Sequence, residues 1–161
     1  MKWMAFFKAF FKSEAKDISK MLDAGGCREG WLQGELFLRA PHATLQTNAT
    51  RRKYDLYSKR PAMVAEVKIC GGDYQSKMQA LIESDVQKLR TALGNTQRFM
   101  ILLVDTRCRG SSLGKWLLTQ DFPHTEYCDV KGTHFTARIW KIRQTRRDPP
   151  LRRLPARGSI R

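Results

Sequence analysis

The sequence predicts an α/β fold, a central mixed sheet flanked by helices in the order α-β-β-β-α-β. Three observations carry this. Residues 98–105, Arg-Phe-Met-Ile-Leu-Leu-Val-Asp, form a continuous apolar run bounded by turn signals, the pattern of a buried central strand. Residues 62–70 form a second β-prone run, in which Glu66 and Lys68 alone are charged. Between the two, Met78, Leu81, Ile82, Val86, Leu89 and Leu93 recur at helical spacing.

The elements follow in order. Residues 3–22 read as one amphipathic helix. Trp3, Phe6, Phe7, Phe10, Phe11, Ile18, Met21 and Leu22 fall mostly three or four residues apart, lysines 2, 8, 12, 16 and 20 supply basic positions, and Gly25-Gly26 ends it. It is expected to pack on the core; a dimer contact and a membrane-interface helix are the alternatives for so aromatic a stripe. A second helix is expected from 28 to 39, stopping before Pro41. Trp31, Leu32, Glu35, Leu36 and Leu38 share a broad stripe there, so Glu35 is expected to face inward, and Glu29 is read as lying on another face. Three short strands follow at 44–50, 53–59 and 62–70. Their separators, Arg51-Arg52 and Arg60-Pro61, suit tight turns of an antiparallel meander. Gly71-Gly72 breaks the third strand, and Gly94-Asn95 closes the helix of 75–93. Leu113–Leu118 reads as another helix and residues 134–142 as a late strand.

At 161 residues, with 42% apolar content, the chain suits one domain with an appended element at each end. The division is residues 1–24, the amphipathic helix; 25–142, the main domain; and 143–161, a basic tail expected to be disordered. The net charge of +15 and pI near 10.2 favour polyanionic partners, nucleic acid first and acidic membrane surfaces second. The tail carries seven arginines and one acid, so most of the excess, +9, belongs to the body. No segment has the length and apolarity of a transmembrane helix, and Lys8 and Lys12 interrupt the apolar stretch that a signal peptide needs. Cys27, Cys70, Cys108 and Cys128 show no paired spacing, which fits a reducing, cytoplasmic setting. Cys108, His124, Cys128 and His134 match no standard zinc spacing.

Chemistry concentrates around residues 62–70. Alternate side chains of a strand point to opposite faces, so Glu66 and Lys68 share one face while Met63, Ala65, Val67 and Ile69 form the other. Asp55 lies eleven residues upstream in another short β-prone segment. Two strands joined by a turn bring Asp55, Glu66 and Lys68 to one surface. Two carboxylates suit a hard divalent cation such as Mg²⁺, and the lysine is placed to orient or deprotonate a water. Nothing resembles a phosphate-binding glycine-rich loop, which argues against ATP-driven chemistry.

The ordered set of Glu35 on a helix, Asp55 and the Glu66-Val67-Lys68 strand, then an amphipathic helix containing Ser84–Arg90, resembles the PD-(D/E)xK, or restriction-endonuclease-like, nuclease superfamily. The resemblance covers residues 28–105, with Tyr54 where the proline that names the motif would stand. It implies a restriction-endonuclease-like core and a metal-dependent endo- or exonuclease acting on DNA in preference to RNA. Asp55, Glu66, the Val67 carbonyl and Glu35 would hold Mg²⁺, with Mn²⁺ as a substitute, and Lys68 would position the attacking water. Arg51, Arg52, Lys53, Lys59 and Arg60 would grip the nucleic-acid backbone. Gln75, after the Gly-Gly break, and Lys88, on the following helix, are further candidates. A catalytically inactive nucleic-acid-binding module is the alternative. A homodimer and a protein partner or inhibitor are left open.

Overall fold

The computed structural model describes residues 2–25, 29–40, 53–71, 75–92, 94–107 and 112–145. In chain order these form α1 (Trp3–Ser13), α2 (Ala15–Asp23), α3 (Glu29–Arg39), β1 (Leu56–Lys59), β2 (Ala62–Cys70), α4 (Gln75–Arg90), β3 (Gln97–Asp105), α5 (Ser112–Thr119), β4 (His124–Lys131) and β5 (Phe135–Ile142). The expected strand at 44–50, Arg51, Arg52 and the tail from 146 onward lie outside the described residues. So do Cys27, Leu93 and Cys108.

The strands make one five-stranded mixed sheet in the order β1-β2-β3-β5-β4. The short turn at Arg60-Pro61 makes β1 and β2 antiparallel, pairing Leu56 with Ala65 and Lys59 with Ala62. Helix α4 then returns the chain so that β3 runs parallel to β2, with Glu66 opposite Met100 and Lys68 opposite Leu102. Strand β5 pairs antiparallel with both β3 and β4. The apolar β3 is therefore central, and Phe99 through Leu103 are all fully buried.

Each face of the sheet has its own core. On one, Trp3, Phe7, Phe10 and Phe11 of α1, Ile18 and Leu22 of α2, and Leu32 and Leu36 of α3 cover Ala65, Val67, Phe99, Ile101 and Ile139. The aromatic stripe thus faces the sheet, and the Trp3 indole N–H donates to the Pro61 carbonyl at 3.0 Å. On the other face, Met78, Ile82, Val86 and Leu89 of α4, with Leu113 and Leu117 of α5, cover Val64, Met100, Leu102 and Trp140. Burial of such side chains is worth roughly 1.5–3 kcal/mol each, against the entropy of ordering them. The strand carrying Glu66 and Lys68 is thereby clamped on both faces.

Several expectations differ in detail. The first helix is interrupted at Glu14 (φ −90°, ψ 6°), where the Ser13 hydroxyl takes the Phe10 carbonyl and Glu14 turns to Arg39 of α3, 2.9 Å away. On α3 the buried face is set by Leu32 and Leu36, while Leu38 is 74% exposed. Strand β4 carries no apolar run because it is a sheet edge, with only Val130 fully buried. Residues 143–145 continue along the domain, Arg143 N–H donating to Pro123 and Thr145 N–H to Arg90. Among the described residues, no helix is long and apolar enough to cross a membrane.

The β4–β5 turn supplies a first prediction. A Cβ at Gly132 would stand 2.1 Å from the Phe135 ring, which is fully buried and lies near Phe11. Gly132→Ala is expected to destabilise the fold by roughly 1–3 kcal/mol, as overpacking does. An unchanged urea midpoint would show that the ring moves freely.

Candidate functional site

Asp55 stands at a bend one residue before the pair Leu56–Ala65, which sets it beside Glu66 on the neighbouring strand. Its carboxylate accepts the Val67 N–H at 2.8 Å. Glu66 and Lys68 project to the α4 side, as Val64 and Cys70 do. There Lys68 Nζ meets Glu29 at 3.0 Å, Asp85 at 3.2 Å and Asp55 at 3.9 Å, and donates to the Val67 carbonyl at 3.2 Å. Lys88 Nζ lies 2.5 Å from Glu66 Oε1 and 3.7 Å from Asp85, over the Tyr54 ring. One strand pair and two helices thus bring together Glu29, Asp55, Glu66, Asp85, Lys68 and Lys88.

The position of Glu35 corrects the sequence expectation. Glu35 forms an ion pair with Arg39 on its own helix and is not gathered with Asp55 and Glu66. Glu29, at the start of α3, reaches the cluster instead, through Lys68 at 3.0 Å. Leu32 and Leu36 define the inward face of α3, and Glu29 precedes them by three and seven residues, on that same face. Asp85, which was not singled out, has the same signature: Met78, Ile82, Asp85 and Leu89 recur at four, three and four residues. A carboxylate in an apolar helical stripe is the signal that finds both. Lys88 reaches the cluster from α4. Gln75 opens α4, but the described atoms do not include its side chain. Lys53, Lys59 and Arg60 are exposed around the β1–β2 hairpin.

Burial dominates the electrostatics of Glu66, whose side chain is 2% exposed. Desolvation first, and the negative charges of Asp55 and Asp85 next, push its carboxyl up to about 8; Lys88 pulls it back only in part. Glu29 is raised by desolvation, against the pull of Lys68. For Lys68, desolvation acts downward, yet Asp85, Glu29 and Asp55 together outweigh it and hold the ammonium above the ordinary lysine range. Lys68 therefore stays charged at neutral pH.

Among the described residues, no three His, Cys, Asp or Glu side chains already stand in metal-ligating geometry. The places between the carboxylates are held by the two ammonium groups. The donors nonetheless fit a hard cation, since Asp55, Glu66 and the Val67 carbonyl offer only oxygen. Glu66 Oε1 is buried and faces the Lys88 ammonium at 2.5 Å. A buried carboxylate oxygen that already faces an ammonium, with the charges of Asp55 and Asp85 nearby, is a place for a cation. No protein-family model, curated protein or solved structure matches the chain.

Proposed function

We propose that this chain is a metal-dependent nuclease of restriction-endonuclease-like fold that hydrolyses phosphodiester bonds, in DNA before RNA. The observation that supports this best is the convergence of Asp55, Glu66 and Lys68 at one pair of strands, with the buried Glu66 oxygen already facing a cationic side chain. Asp55 and Glu66, with the Val67 carbonyl, would hold Mg²⁺ or, in its place, Mn²⁺. When bound, the cation would supply a water of lowered pKa and a counter-charge for the pentavalent phosphorus. Lys68, surrounded by three carboxylates, orients the attacking water and opposes the charge that develops on the phosphoryl oxygens. Exposed Lys53, Lys59 and Arg60 fix the nucleic-acid backbone, in keeping with a body that is itself basic. An intracellular setting belongs to the same reading.

The test is supercoiled plasmid incubated with the purified protein in Mg²⁺, Mn²⁺ or EDTA. Nicking or linearisation with either cation and none in EDTA is the expected result. Intact plasmid that shifts in mobility at low salt would instead favour a binding module.

A further inference from the structure

We infer that Lys88 is a stand-in cation: its ammonium holds the place on Glu66 that a divalent ion takes, and it, not Lys68, gives way when that ion binds. The inference rests on the reading of Asp55 and Glu66 as ligands. Four carboxylates, Glu29, Asp55, Glu66 and Asp85, face two ammonium groups here. Glu66 is the most buried of the four, and once its carboxyl ionises it needs a cation beside it, the place that Lys88 holds at 2.5 Å.

The two lysines are held very differently. Lys68 is 12% exposed, meets three carboxylates and donates to a backbone carbonyl, so moving it would leave four partners behind. Lys88 is 30% exposed and meets Glu66 at 2.5 Å and Asp85 at 3.7 Å. It also lies over the Tyr54 ring, 5.4 Å from the centroid. A divalent ion on Glu66 Oε1 would repel an ammonium so close to it, because like charges a few ångströms apart cannot share a poorly solvated place. Lys88 has somewhere to go. It sits on a flexible four-carbon stem, Asp85 lies one turn back on α4, and solvent lies beyond.

Mn²⁺ binding followed by electron paramagnetic resonance, without nucleic acid, tests this. Wild type is compared with Lys88→Met, Lys88→Arg, Lys68→Met and Glu66→Gln, each checked by thermal melt. Lys88→Met is expected to bind Mn²⁺ about tenfold more tightly, the size of one charge-assisted contact no longer displaced. Lys88→Arg, which keeps the charge, is expected to bind no more tightly than wild type. Lys68→Met is expected to gain clearly less than Lys88→Met, and Glu66→Gln to lose binding. Should Lys68→Met gain as much as Lys88→Met, the effect is general electrostatics and the inference falls. Should Lys88→Met gain nothing while Glu66→Gln still abolishes binding, the inference falls and the metal site stands. No Mn²⁺ binding by wild type or Lys88→Met would overturn both.

Discussion

Asp55→Asn and Lys68→Met proteins are expected to cleave plasmid roughly 10²–10³-fold more slowly than wild type, the size of losing one group that meets developing charge. Glu35→Gln is expected to cleave like wild type. The contrast is informative because all three residues belong to the sequence motif, yet only Asp55 and Lys68 lie at the cluster; Glu35 is spent on Arg39. Asparagine at 55 keeps an oxygen that can accept the Val67 N–H, so charge is lost while the strand contact survives. Lys68→Met removes the ammonium from among Asp85, Glu29 and Asp55, and the like charges left behind will lower stability; a melt must show that the protein is folded at the assay temperature. A folded Lys68→Met protein that cleaves at the wild-type rate would remove Lys68 from the reaction. Loss of cleavage in Glu35→Gln, with Asp55→Asn intact, would move the centre to the other end of α3.

The sheet's interior was legible because its signals are local. The run at 98–105, the charged pair within 62–70 and the helical stripe of α4 each state burial in a few residues, and the sheet places all three as neighbours. Strand β4 was not legible, since an edge strand with a mostly exposed surface has no apolar period to read. Within the candidate site, Asp55, Glu66 and Lys68 were legible from strand alternation and one tight turn. Glu29 and Asp85 were missed for one reason. Each is a carboxylate that falls on its own helix's buried stripe, at spacings of three and four from Leu32 or from Ile82 and Leu89, where an apolar count passes over it. Lys88 could not be placed because its reach depends on how far α4 stands from β2, a distance that the sequence does not state.

In the absence of divalent ions, the fold is expected to lose stability as pH rises from 5 to about 8. Glu66 carries this effect. Its carboxyl moves from an ordinary value of 4.5 to about 8 in the folded chain, through burial first and then the charges of Asp55 and Asp85, with Lys88 opposing. The folded state therefore binds this proton more tightly than the unfolded state does. The resulting stabilisation is complete below about 4.5 and is lost as pH climbs through about 8. At 1.36 kcal/mol per unit the ceiling is roughly 5 kcal/mol. Glu29, also raised, adds in the same direction, whereas the lowered Asp105 acts below pH 4, outside this window. Melts in EDTA at pH 5, 6, 7 and 8 measure the slope, and Glu66→Gln, which cannot titrate, should flatten most of it. Millimolar Mg²⁺ should restore wild-type stability most at pH 8, where the ion meets a carboxylate and not a carboxylic acid, and should leave Glu66→Gln unmoved. A Glu66→Gln protein with the wild-type slope would mean that some other group titrates, and Glu66 would then be an ordinary ionised partner of Lys88.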